Sequence, residues 1–155
     1  MKRSFAVVMI LVGGIVLANV ALAGDVDDIK KVTLEHFATL SAGNTDAHID
    51  QHALGHTTFA GDGGLLEVND SLAEEKKSLQ ADFDAGVKLN LRITHLDVKV
   101  YGNTAVVTGY VVGTTTDPEG TAVQAMTRRT AVLVKKDGAW KEVHLHSSPV
   151  VSPSE

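Results

Sequence analysis

The stretch Thr127–Pro149, TRRTAVLVKKDGAWKEVHLHSSP, decides the fold of this 155-residue chain. Residues up to Lys136 are rich in strand formers. Asp137-Gly138 has the composition of a two-residue hairpin turn, because both positions must tolerate positive φ. Ala139 to Ser148 resumes a strand that carries the single Trp, Trp140, and ends in His144-Leu145-His146.

Moving backward, Asp117-Pro118-Glu119-Gly120 reads as a turn and Thr104 to Thr115 as a strand, entered from Gly102-Asn103. Before it, Leu89, Leu91 and Ile93 alternate in one phase, and Leu96, Val98 and Val100 in the other. That change of phase predicts a bulge or sharp bend near Thr94-His95. Towards the N-terminus the period changes to that of helices. Val26, Ile29, Val32, Phe37 and Leu40 form a helical stripe that includes His36, closed by Gly43-Asn44. A short second helix is expected over Thr45–His52, with a brief strand over His56–Phe59 and a turn at residues 61–64. A third helix opens at Ser71, whose spacing to Glu74 is that of a capping box; Leu72, Leu79 and Phe83 form its apolar stripe and Gly86 ends it. Three helices followed by a bent antiparallel sheet predict an α+β domain.

The first 23 residues read differently. Lys2 and Arg3 precede an apolar run from Phe5 to Ala18, and Ala21-Leu22-Ala23 has the small-x-small form of a signal-peptidase site. The expected organisation is a signal peptide over 1–23, one domain over 24–149 and a loose tail over 150–155. Cleavage after Ala23 removes two cations and no acid, taking the formal charge from −5 to −7. An exported, acidic domain argues against nucleic acid as a partner, since phosphates demand a basic surface. No stable membrane anchor is expected after cleavage, and the destination is the periplasm or the medium. The chain has no cysteine, so its core must hold without disulfides and it has no thiol nucleophile. It also lacks a lysine-bearing phosphate loop and a G-x-S-x-G elbow.

The layout, with KKDGAWKEVHLHS at residues 135–147, resembles the nuclear transport factor 2-like superfamily and its SnoaL-like group. The closing hairpin is similar to that of the calcium/calmodulin-dependent kinase association domain. The resemblance implies a cone-shaped fold, with three helices packed on a curved antiparallel sheet around a central pocket, and a homodimer. An arginine pocket of the kinase domain would fall on Ala131 and Ser147, neither of which is an arginine. The alignment implies that Arg129, Ala131, Leu133, Val143, Leu145 and Ser147 face the concave side. Alternation then puts Arg128, Thr130, Val132, Val134, His144 and His146 on the other.

Candidate chemistry follows from these placements. His36, on the inner stripe of the first helix, has a pKa suited to proton transfer, and Asp50 is a candidate general base beside it. Either could equally be structural. Arg129 on an apolar face needs a carboxylate or an anionic ligand. Arg129, Ser147, Tyr110 and His95 are the expected ligand contacts, with Tyr110 or Tyr101 as possible hydroxyl donors. Arg128, Val132, Val134, His144 and His146 are the expected interface. His144 and His146 lie about 7 Å apart along a strand, close enough to share a metal, but two imidazoles define no geometry and no metal or cofactor is expected. His48 and His52, four apart with His56 beyond, lack the Glu of the zincin pattern and are expected on a solvated helix face. The leading expectation is a pocket that binds a small, partly apolar molecule. The alternatives are a proton-transfer enzyme of isomerase, dehydratase or hydrolase type and an assembly module.

Overall fold

The computed structural model describes residues 24–61 and 63–150; the expected leader, the last five residues and Asp62 lie outside the described residues. Helix α1 runs over residues 24–41, followed by α2 (Thr45–Ile49), β1 (His52–Phe59), β2 (Glu67–Asn69), α3 (Leu72–Asp84), β3 (Lys88–Tyr101), β4 (Thr104–Thr116), β5 (Ala122–Lys136) and β6 (Ala139–Pro149). The six strands form one curved, unclosed sheet in the order β2-β1-β6-β5-β4-β3. The closing hairpin therefore sits at its centre. Only the β1–β6 pair is parallel among the described strands.

Ser71 caps α3 at the expected place, accepting from the backbone of Glu74 at 3.3 Å, whereas α2 is capped by Asn44, which accepts from the backbone of Ala47, and not by Thr45 or Asp46. The β3–β4 register shifts between Thr94 and Asp97, and His95 adopts a φ of 52° there. This bulge turns Leu96, Val98 and Val100 to the same side as Leu91 and Ile93, so both phases of β3 serve one core. Opposite it lies Gly109, where a Cβ would stand 2.8 Å from Ile93 Cδ1.

Two apolar clusters join the helices to the concave face of the sheet. Ile29 packs with Ala105, Val107, Ala131, Leu133 and Trp140 at one end. Phe37 packs with Ile93 and Val111 further along. Their shared helical face, Ile29, Thr33, His36 and Phe37, is buried at the spacing of an amphipathic helix. The apolar residues of α3 are only half-buried, because that helix flanks a cleft instead of a filled core.

Three expectations need correction. The second helix ends at Ile49 and the chain is already extended at His52, so His48 and His52 do not share one helix face. A second register shift, between Val132 and Leu133, pairs Val132 with His144 but Leu133 with Glu142. Val143 is the extra residue, so Glu142, not Val143, turns inward beside Arg129 and is buried. Finally, β4 alternates so that Val107 and Val111 are buried and Tyr110 is exposed, paired with Arg128 on the outer face. His95 is exposed too and packs edge-on against Tyr110 at 5.7 Å between ring centroids. Neither residue enters the concave side.

Candidate functional site

Beyond the Phe37 cluster the sheet, α1, α2, β1 and α3 enclose a cleft of about 610 Å³. Its walls are mostly apolar by area, with Phe37, Leu40, Leu79, Leu91, Val111 and Leu145 among them, and Glu67, Asn69, Ser78 and Asp82 also line it. Its floor is polar: His36, His48, His52, His56, Glu75, Arg129 and Glu142 all line it. Thr127 and Ser147 complete the β5–β6 side.

The four histidines form a continuous row. Ring centroids lie 4.3 Å apart for His36–His48, 5.0 Å for His48–His52 and 4.5 Å for His52–His56. All four residues are buried. They arrive there from three elements: His36 from the inner stripe of α1, His48 from α2, and His52 and His56 from β1. His52 and His56 share a side because residues four apart in a strand point to the same face. The expectation of a solvated helix face for His48 and His52 is therefore overturned, since both are buried and His52 lies on β1.

Each ring has a polar partner, and His52 and His56 share one. His48 Nδ1 lies 3.2 Å from the His36 carbonyl oxygen, which fixes the N–H on that nitrogen. His52 Nδ1 lies 2.9 Å from Glu75 Oε1, and His56 Nε2 lies 3.4 Å from the same oxygen. His56 Nδ1 is 3.1 Å from the Ala53 carbonyl. His36 Nε2 faces Arg129 Nη2 at 3.4 Å. Arg129 is paired with Glu142, both buried, and its guanidinium carbon stands 5.4 Å over the Phe37 ring.

These surroundings set the protonation of the floor. Burial holds the His36 imidazole well below its ordinary value, and the Arg129 charge pushes in the same direction. Burial, then the neighbouring His52, lowers His48 to about 4 against the hydrogen bond to the His36 carbonyl. Both rings are neutral at pH 7. Burial also opposes charge at His56, but the Glu75 carboxylate outweighs it and raises that ring. Burial would raise Glu75; hydrogen bonds from His52 and His56 overcome it and hold the carboxylate at about 2. The floor is thus two neutral imidazoles, a histidine–carboxylate cluster and an internally balanced Arg–Glu pair.

Among the sequence candidates, the structure brings His36, Arg129 and Ser147 to the cleft. Asp50 lies elsewhere: its side chain is 85% exposed, pairs with Lys141 at 3.3 Å and borders a separate depression on the far side of α1 and α2. Arg128, Val132, Val134, His144 and His146 lie on the outer face of the sheet. There His144 Nδ1 meets Thr57 Oγ1 at 2.8 Å, and both His144 and His146 pack against Phe59. Sequence reasoning missed His48, His52, His56, Glu75 and Glu142. The i, i+4, i+8 spacing of three histidines was the available signal, and it pointed to the wrong element.

The chain belongs to the SnoaL-like domain family, whose model matches residues 29–152. Solved structures agree on the fold. A ketosteroid isomerase-like protein from Erwinia carotovora atroseptica aligns with a TM-score of 0.66 at 18% identity, covering 81% of this chain and 96% of that one. The association domain of Caenorhabditis elegans calcium/calmodulin-dependent protein kinase II gives 0.62 at 20% identity, again over 81% and 96%. A nuclear transport factor 2-like protein with a cystatin-like fold from Novosphingobium aromaticivorans gives 0.69 at 14%, over 90% of each chain. No curated protein matches the chain in sequence. At these identities the likeness establishes a nuclear transport factor 2-like α+β cone and leaves activity open.

Proposed function

We propose that this is an exported, homodimeric SnoaL-like protein whose cleft binds a small, partly apolar molecule carrying a neutral polar end. One observation carries the reading: a cleft of about 610 Å³ with mostly apolar walls converges on a polar floor. The Arg129 charge is already balanced by Glu142, and two facing imidazoles are neutral. A carbonyl or hydroxyl group fits that floor better than a second carboxylate would. Export rests on the N-terminal sequence, and dimerisation on the outer sheet face that carries Arg128, Val132, Val134, His144 and His146.

The test is a thermal-shift and calorimetric screen of apolar ketones, alcohols and matching carboxylic acids. Neutral compounds are expected to bind and Leu145→Trp, which fills the cleft, to abolish binding. No neutral ligand from such a set, together with a cleft closed by side chains in a crystal, would overturn the reading. N-terminal sequencing of the periplasmic protein and sedimentation at neutral pH test export and dimerisation.

A second reading, proton-transfer catalysis, is favoured by the His52–Glu75 pair inside the cleft at 2.9 Å. The ketosteroid isomerase-like neighbour has the same fold. On this reading His36 and His52, not Asp50, are the proton-handling groups. Loss of turnover in His52→Gln, with the fold intact, would support it.

A further inference from the structure

We propose that His36, His48 and His52 form a binding site for a divalent transition-metal ion of the zinc class, with Glu75 as the positioning residue that orients His52. The inference goes beyond the ligand-binding reading and does not depend on it.

The geometry is that of a three-histidine site before closure. One nitrogen from each ring lies within 4.8 Å of the other two. All three residues are buried, with relative exposures of 7%, 6% and 8%. Tetrahedral coordination at Zn–N of about 2.0–2.1 Å requires nitrogens about 3.3 Å apart, so the rings must close by no more than about 1.5 Å. Small side-chain rotations supply that.

Orientation is the stronger argument. A metal-bound imidazole donates its second nitrogen to a carbonyl or carboxylate, which fixes the tautomer and aims the lone pair. His48 Nδ1 meets the His36 carbonyl, which leaves Nε2 as the free donor atom. His52 Nδ1 meets the Glu75 carboxylate in the same way. His52 Nε2 is then buried with no hydrogen-bond partner. An unpartnered buried nitrogen is costly, and a cation at the centre of the row would satisfy it. His36 contacts Arg129 through Nε2 at 3.4 Å and is also bonded by Gln51, so coordination through Nε2 displaces only the long Arg129 contact.

The charges around the site are compatible with a cation. Arg129 is the nearest positive group and is compensated by Glu142. Glu75 contributes a negative charge through His52. Three imidazole nitrogens as ligands select zinc, cobalt, nickel or copper over calcium or magnesium, which require oxygen ligands. The fourth position opens on the cleft, as in zinc sites that hold an exchangeable water. The outer His144 and His146 lack this construction, because His144 Nδ1 is engaged by Thr57 and no carboxylate joins them in a metal-sized group among the described residues.

The test uses the purified protein stripped with a chelator. Calorimetry with Zn²⁺ is expected to give one equivalent, and Co²⁺ the intense visible bands of a low-coordinate nitrogen site. His48→Ala and His52→Ala should each weaken binding at least about 100-fold, and Glu75→Gln about 10–100-fold. His144→Ala and His146→Ala should leave binding unchanged. Because a buried substitution can unfold the chain, the wild type supplies an independent readout: Co²⁺ should broaden the imidazole NMR signals of His36, His48 and His52 first. Absence of stoichiometric binding would overturn the proposal. So would binding that survives both His48→Ala and His52→Ala, or broadening centred on His56 or His144. Ligand screening of the stripped protein separates this outcome from the ligand-binding reading.

Discussion

The two faces of the sheet carry two sets of histidines that look alike on paper and behave as opposites. The inner row of four is buried, each ring assigned to a partner, and two of its members are held neutral. The outer pair, His144 and His146, is half-buried or exposed and leans on Phe59 and Thr57. Burial therefore makes protonation expensive at His36 and His48 on the inner face. What separates the two sets is the topology, since α1, α2 and β1 deliver their histidines under α3 while β6 turns its own away.

The largest expected effect tests whether the inner face is electrostatically closed. Glu142→Ala leaves Arg129 buried without its carboxylate and should cost about 3–5 kcal/mol. The outer His146→Ala should stay within about 0.5 kcal/mol. Urea denaturation of both variants measures the contrast. A loss below about 1 kcal/mol for Glu142→Ala would mean that water reaches Arg129 and the inner floor is not sealed.

The next effect is pH-dependent. His48 titrates at about 4 in the folded protein and near 6.5 in the unfolded chain. Its contribution is complete above pH 6.5 and is lost as pH falls towards 4, a loss of roughly 3 kcal/mol. His36 is shifted in the same direction and adds to it. Glu75, held at about 2, stays charged throughout this window; its own contribution fades only below pH 4.5. His56, raised by Glu75, contributes fully below pH 6.5 and loses that contribution at higher pH. Stability of chelator-treated protein should therefore decline on acidification from pH 6.5 to 4. His48→Gln should flatten the decline, whereas the double variant His144→Ala/His146→Ala should leave it unchanged. A slope set by the outer pair would reverse the contrast.

The outer face and the inner floor were not equally legible in the sequence. Turn chemistry, period-two alternation and the phase change at Thr94-His95 were enough to place β3 to β6. The facing came from the family resemblance, which implied Arg129 and Ser147 inside, and alternation from there put His144 and His146 outside. The inner row was not legible, for two physical reasons. A five-residue helix carries too little periodicity to mark its end, so His52 was read as its last residue instead of the first of β1, and the strand was started four residues late, at His56. The β6 bulge is silent in composition, and without it alternation points Val143 inward and conceals Glu142. Glu75 was visible only as a helix acid, since its role depends on a contact with β1 across the cleft.

Smaller differences sharpen the outer side of the comparison. The Thr57–His144 hydrogen bond at 2.8 Å ties β1 to β6 where their register is irregular. His144→Ala should cost about 1 kcal/mol and leave ligand affinity in the cleft unchanged. A thermal melt and a binding isotherm on the same variant check both. If affinity falls with stability, the outer strand contact shapes the floor and the two faces are coupled.

The smallest expected effect concerns Asp50, read from the sequence as either a general base or a helix-surface acid. Its carboxylate is 85% exposed and pairs with Lys141 in a solvated geometry, where such contacts contribute about 0–1 kcal/mol. Asp50→Asn should shift stability by less than about 0.5 kcal/mol and should alter neither ligand binding nor any turnover. The peptide between Asp50 and His52 is where the chain passes from the outer surface of α2 to the floor of the cleft. Loss of binding in Asp50→Asn would place that boundary in the wrong position. An unchanged isotherm would locate the whole titratable site on the cleft side of Gln51, with His36, His48, His52, His56 and Glu75.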